Sequence, residues 1–306
     1  MADPASHPAF RVEAIDYATG LDALRAVRET VFVQEQQVPI ELEWDDLDPR
    51  CAHVLARDAD GRPIGTGRLT PERTIGRMAV LRDWRGRGVG DALLEALIAE
   101  AERRQWPEVS LHAQVSAIGF YARHGFVPEG ERYMEAGIEH RNMRRQLGGP
   151  TAIEDRDAAV AIVCGIVAGA RRELSIYSRA LDPGLFDAPE VLEALRALAT
   201  RRQRVDIRIL LQDAGAPQRA HAPLIALAQR LPSVFAFREA SDPADRGYAS
   251  AYVVNDGGGY YFRTLGNRFD GEGAIDQGGR ARQLADGFQP VWERSRIVTE
   301  YRVLGV

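Results

Sequence analysis

Residues 84–90 read Trp-Arg-Gly-Arg-Gly-Val-Gly and run directly into a strongly helix-forming segment, Asp91-Ala92-Leu93-Leu94-Glu95-Ala96-Leu97. Three glycines and two arginines in seven residues, between a strand-like segment and a helix, describe an anion site. The first turn of a helix leaves N–H groups without intrahelical partners, and they carry the positive end of the helix dipole. Glycine has no Cβ, so phosphate oxygens can come within hydrogen-bonding distance of those amides. Arg85, Gly86, Arg87, Gly88, Val89 and Gly90 are therefore the expected phosphate-binding residues, the arginines adding charge. A P-loop would end in Gly-Lys-Ser/Thr, which is absent here. A dinucleotide fingerprint would need Gly-x-Gly-x-x-Gly and an acid ending the next strand, and neither is present. What remains is Arg-x-x-Gly-x-Gly, at Arg85, Gly88 and Gly90, set against the plain alternative of an ordinary strand-to-helix turn.

The elements that must position this turn follow from periodicity. Leu21 to Gln36 has apolar residues at helical spacing. Ala52 to Asp58 and Ile64 to Thr70 read as strands joined by a tight Asp-Gly turn, and Thr74 to Val80 reads as the next strand. A helix is expected from about Gly88 to Arg104, with Leu93, Leu94, Leu97 and Ile98 on its apolar face. Glu108 to Gln114 reads as a strand, Ala117 to Gly125 as a short helix ended by glycine, and Phe126 to Leu147 as a two-stranded ribbon.

With Arg-x-x-Gly-x-Gly opening a helix after the strand Arg77-Met78-Ala79-Val80, and a later Gly119-Phe120-Tyr121 followed by Gly125-Phe126, residues 8–147 resemble the GNAT superfamily of N-acetyltransferases. The stretches Val31 to Ala56 and Gly137 to Met143 look like its ElaA-like branch. The resemblance implies an α+β fold with a central mixed sheet and acetyl-CoA as co-substrate, bound by the glycine-rich turn. It also implies that main-chain groups of Met78, Ala79 and Val80, on a strand that splays from its neighbour, pair with the pantetheine arm. Tyr121 matches the position of the family's general acid, with a core or stacking aromatic as the plainer alternative.

Acetyl transfer requires a neutral amine, so a base or a water chain must take its proton. Glu41, Glu43, Asp45 and Asp46 form an acidic cluster that is either part of an acceptor site or a solvated loop. His53 and His112 lie on strands, where a structural role is the more common one, and His140 lies near the domain's end. Cys51 has no activating base beside it, which argues against a Cys-acyl intermediate and for direct attack. The acceptor is expected to be a small-molecule or protein amine.

The whole chain has 306 residues, 45% hydrophobic and 27% charged, with a net charge of -5. That is enough for two domains, and it offers no global attraction to nucleic acid. The two cysteines, Cys51 and Cys164, form no ligand spacing or disulfide framework, so a reducing cytoplasm is the expected compartment. The N-terminal residues have no signal-peptide pattern, and the longest apolar run, Ala158 to Ala170, falls short of the ~20 residues of a membrane span.

Gly148, Gly149 and Pro150 mark a linker over residues 148–153, and residues 154–306 form a second α/β domain, with a mainly parallel sheet expected. Within it, Ala249 to Gly271 resembles the active-site strand pair of the phospholipase D-like fold. That family's His-x-Lys-x-x-x-x-Asp falls on Ala249, Ala251 and Asp256, and only a trace of its Asn element is left at Asn267. The nucleophile of that chemistry is the histidine, which alanine cannot replace. The resemblance therefore implies a degenerate, non-catalytic domain, suited to dimerisation or recruitment. Arg179, Arg263 and Arg268 are candidates for a residual anion pocket or are simply solvated. An acyl-CoA-sensing protein whose second half docks a protein or nucleic acid is the alternative to an enzyme.

Overall fold

Two mixed sheets organise the chain in a computed structural model that describes residues 10–301. Residues 8 and 9 of the expected first domain, and 302–306 of the second, lie outside the described residues. The first sheet has the order β1 (Phe10–Ile15), β2 (Ala52–Asp58), β3 (Pro63–Leu69), β4 (Thr74–Val80), β5 (Glu108–Gln114), β7 (Ile138–Gln146) and β6 (Val127–Glu135). Strands β1 to β4 are antiparallel neighbours, β4 and β5 run parallel, and β5 and β7 are antiparallel, so the mixed sheet is as expected.

Helix α1 (Tyr17–Arg28) starts at Asp16, whose carboxylate accepts the N–H of Thr19 at 3.1 Å. It continues as a π-helical segment over Glu29–Glu35, and Val27 of α1 and Val31 of this segment pack on Ala79 of β4. A single turn, α2 (Ile40–Glu43), follows. Helix α3 (Val89–Arg103) buries Val89, Leu93, Leu94, Leu97 and Ile98, the apolar face expected from spacing. The short helix α4 (Ile118–Arg123) ends at Gly125, whose φ of +80° suits glycine.

The second sheet has the order β15 (Arg296–Ile297), β11 (Phe235–Glu239), β10 (Asp206–Leu211), β9 (Glu173–Ser178), β12 (Ala251–Asn255), β13 (Tyr260–Arg263), β14 (Gly271–Ala274) and β8 (Thr151–Ile153). Only β9, β10 and β11 run parallel, which corrects the expectation of a mainly parallel sheet. The reason is connection length. Parallel neighbours need a crossover, and helices supply it here: α6 (Pro189–Ala199) between β9 and β10, then α7 (Gly215–Arg219) and α8 (Pro223–Arg230) between β10 and β11. The short turn between β12 and β13 permits nothing but a hairpin. Thr151–Ile153, expected within a linker, pair with β14 instead.

Helix α5 (Arg156–Gly169) is apolar on nearly every side and packs against β12, β13, α6 and α4. One short helix, α9 (Pro243–Arg246), precedes β12. The last helix, α10 (Gly278–Arg294), covers the other hydrophobic layer through Leu284, Phe288 and Trp292. Packing divides the chain into two compact units, the described part of Met1–Val115 with Gly130–Gly148, and Ser116–Glu129 with Gly149–Val306. Helix α4 thus packs with the second unit although its sequence lies within the first expected domain. Among the described residues, no helix is long and apolar enough to cross a membrane.

Candidate active site

Strands β4 and β5 pair at only two positions, Thr74 with Ser110 and Ile75 with Leu111. Beyond Ile75 the strands diverge, and Gly76 to Val80 have no partner on β5. On its other side, β4 is laddered to β3. Leu81 N donates to Ile64 O at 2.9 Å, and hydrogen-bonded positions recur every second residue along an antiparallel ladder. Ala79, paired with Thr66, therefore spends its backbone groups on β3. Met78 and Val80 turn their N–H groups towards the gap. Of the three expected main-chain partners for a pantetheine arm, two face the opening and Ala79 does not.

The turn after β4 has the backbone of an anion cradle. Gly86 has φ +72° and Gly88 has φ +82°, a left-handed conformation that penalises any residue with a Cβ. A Cβ at either glycine would meet no atom within 4 Å beyond its chain neighbours, so the space over the turn is open. Gly88 is the N-cap of α3, and no side chain caps this helix start. The first amides of α3 are thereby left to an incoming acceptor, and a pyrophosphate fits that requirement.

The two arginines of the turn differ. Arg85 forms a two-pronged ion pair with Glu35, at 2.6 and 2.8 Å, and donates from Nε to Val80 O at 2.9 Å. It fastens the turn to the π-helical segment, and this partly exposed pairing with Glu35 competes with its expected role at the phosphate. The same contact holds the Glu35 carboxyl below its ordinary pKa. Arg87 is exposed, lies over the Trp84 ring at 5.3 Å, and keeps its charge towards solvent. Glu35 carried no signal, because a pair separated by fifty residues leaves no periodicity.

The acidic cluster is divided in the same way. Glu43 is buried, its Oε1 2.5 Å from Arg28 Nε, and burial raises its pKa despite Arg28 and Arg77 beside it. Asp45 accepts from both Nη atoms of Arg68, at 2.8 and 2.6 Å, and its pKa falls to about 2, chiefly through that bond. Asp48 lies between Arg28 and Arg68 at 3.0 and 2.5 Å. Trp44 stacks on Arg28, 4.2 Å from its ring centroid. Glu43 and Asp45 are thus structural, which leaves only Glu41 and Asp46 exposed.

The remaining candidates separate by their surroundings. His53 is buried against the Tyr17 ring, its Nε2 2.8 Å from Asp48 O, and burial lowers its pKa. Cys51 donates to Leu47 O at 3.2 Å, and burial pushes its thiol up to about 11, so it is no nucleophile. His112, edge-on to the Tyr133 ring, and His140, stacked on it, are brought together on the β5–β7–β6 face. Tyr121, on α4, lies against Phe120 and Phe126 at 4.9 and 6.0 Å between ring centroids. Burial raises its pKa to about 12.

In the second unit, Ala251 is buried and Ala249 exposed, with no histidine or lysine in their places. The Asp256 carboxylate accepts the backbone N–H groups of Arg171 and Arg172 at 2.8 and 2.9 Å. Arg263 is buried, pairs with Asp182 and donates to Gly266 O and Arg268 O, while Arg268 pairs with Asp270. Arg263 is therefore spent on structure, whereas the pair of Arg268 is an exposed one. Arg179 is exposed.

Residues 26–147 match the acetyltransferase (GNAT) domain family, and residues 155–304 match a domain of unknown function, DUF7931. YjcF of Bacillus subtilis, named an uncharacterized N-acetyltransferase, is 37% identical over 123 residues, which is 39% of this chain and 87% of YjcF. A crystal structure of an acyl-CoA N-acyltransferase from Pseudomonas aeruginosa is 34% identical at a TM-score of 0.41, covering 45% of this chain and 99% of that one. The structure of Escherichia coli ElaA is 29% identical at a TM-score of 0.40, covering 45% and 99%.

Proposed function

Because the chain belongs, through residues 26–147, to the GNAT acetyltransferases, it is an acyltransferase with acetyl-CoA as co-substrate, and we propose that it acetylates a primary amine by direct attack. The observation that carries this reading is the divergence of β4 from β5 beside a helix start that no side chain caps. Gly86, Gly88, Val89 and Gly90 hold the pyrophosphate with their backbone, and Arg87 adds charge. Met78 and Val80 present N–H groups to the thioester carbonyl in the gap. The amine nitrogen attacks the carbonyl carbon. The C–N bond forms, the C–S bond breaks with its electron pair on sulfur, and the surplus amine proton passes to water.

By its match to the family's acid position, Tyr121 is the residue proposed to serve the leaving sulfur. A thiol has a pKa of about 8.5, well below the value of about 12 that burial gives this phenol. The phenol therefore donates a hydrogen bond to the thiolate without surrendering its proton. Tyr121→Phe is expected to lower kcat about tenfold and leave the Kd for acetyl-CoA unchanged, less than is usual for an acid because the thiolate leaves readily. Thiol-release kinetics and calorimetry check both halves, and an unaltered rate removes Tyr121 from the reaction.

The second unit is read as a phospholipase D-like fold that has lost its catalysis. The fold reading rests on the sequence resemblance alone, and the alanines at 249 and 251 and the engagement of Asp256 with backbone support only the loss of catalysis. Free Cys51 and Cys164 support a reducing cytoplasm. The test of the whole reading is calorimetry with acetyl-CoA, followed by thiol release over a panel of polyamines, aminoglycosides, amino acids and peptide N-termini. Absence of binding overturns it, and binding without release on any amine favours acyl-CoA sensing.

A further inference from the structure

Strand β4 reverses the side to which its backbone groups point, and one side chain holds the reversal. Up to Gly76 the ladder is regular, with Thr70 N donating to Thr74 O at 2.9 Å and Arg68 opposite Gly76. Beyond an irregularity, Thr66 lies opposite Ala79. One residue of β3, Gly67, thus faces two of β4, Arg77 and Met78, and the surplus residue is Arg77, with φ +50°. In a regular ladder Thr66 would face Met78, and Arg77 and Ala79 would address the gap. The bulge gives that place to Met78 and Val80.

A left-handed φ is unfavourable for arginine, and its side chain is anchored accordingly. Arg77 Nε lies 3.3 Å from Glu43 Oε2 and donates to Glu43 O at 3.2 Å. Its Nη2 donates to Leu42 O at 3.0 Å and lies 3.5 Å from Asp45 Oδ2. Glu43 and Asp45 are fixed in turn by Arg28 and Arg68.

We infer that Arg77 is a positioning residue. Its clamp on the Leu42–Asp45 loop holds the β4 bulge, and the bulge aims the Met78 and Val80 N–H groups at the thioester carbonyl. The acidic stretch thereby acts on the acyl group through backbone geometry and not as a base. This inference rests on the acetyl-transfer reading above.

The test uses the full chain and acetyl-CoA carrying ¹³C at the carbonyl, with isotope-edited infrared spectroscopy of the bound thioester, which needs no acceptor. In the wild type the carbonyl stretch is expected below its value in water. Arg77→Ala returns it towards that value and lowers kcat at least tenfold, with the Kd for acetyl-CoA changed less than about threefold. Arg77→Gly adopts the left-handed conformation without penalty, so it keeps the carbonyl shift and recovers most of the rate. A wild-type carbonyl shift in Arg77→Ala overturns the inference. So does equal impairment of Arg77→Gly and Arg77→Ala, which would make the guanidinium itself the acting group. Bound acetyl-CoA with an unshifted carbonyl in the wild type sinks this inference alone, whereas failure to bind sinks the parent reading as well.

Discussion

Gly88→Glu abolishes acetyl-CoA binding and leaves the protein folded. The backbone at Gly88 is left-handed, at φ +82°, which costs a residue with a Cβ about 1–2 kcal/mol. Beyond the chain neighbours no atom stands within 4 Å of the position a Cβ would take, so the new side chain meets open space and not the core. A carboxylate beside the N-terminus of α3 also interacts favourably with the helix dipole, which offsets part of the conformational penalty. The same carboxylate occupies the place of the pyrophosphate and repels it. The expected rise in Kd is at least about a thousandfold, equivalent to about 4 kcal/mol. Calorimetric titration with acetyl-CoA measures the loss, and circular dichroism confirms the fold. An affinity equal to that of the wild type would remove the glycine-rich turn from the site. Gly88→Ala separates the two effects, since it carries the backbone penalty without the charge.

Gly165→Leu has the largest expected effect on stability. Gly165 lies in α5 where α4 crosses, and a Cβ there would stand 2.6 Å from Ala122 O and 3.1 Å from Ile275 Cγ2. Ile275 can turn aside, but the carbonyl belongs to the backbone of α4 and cannot. Overpacking of this kind costs about 1–3 kcal/mol, and a leucine at a backbone contact belongs at the upper end. A loss of about 3 kcal/mol lowers the Tm by about 6–12 °C for a unit of this size. Gly165→Ala is expected to be destabilising too, although alanine gains about 1 kcal/mol over glycine in helix propensity. Scanning calorimetry reads both variants. An unchanged Tm in Gly165→Leu would show that α4 is not seated on α5. Because α4 carries Tyr121, a segment of the acetyltransferase match depends for its packing on the unit of unknown function.

Most elements of the first sheet were legible from spacing. Thr74–Val80 and Glu108–Gln114 agree with the strands expected, and α3 agrees within a residue at each end. Strands β1, β8, β14 and β15 were not anticipated. β8, β14 and β15 have at most four residues, too few for an alternation to register, and β14 is half glycine. The helix expected over Leu21 to Gln36 begins earlier and ends in a π-helical stretch, a distinction that apolar spacing does not encode.

The glycine-rich turn was determined locally, because left-handed glycines, a helix start and an open approach are properties of consecutive residues. Pairings across the fold were decided only by tertiary structure. The tying of Glu43 and Asp45 to Arg28 and Arg68, and the burial of Arg263 on Asp182, turned candidate chemistry into scaffolding, and the pairing of Arg85 with Glu35 competes with its role at the phosphate. The phase of the β4 backbone after Arg77 belongs to the same class. An ion pair or a bulge depends on which distant residue packs opposite, and one-dimensional periodicity holds no record of that partner.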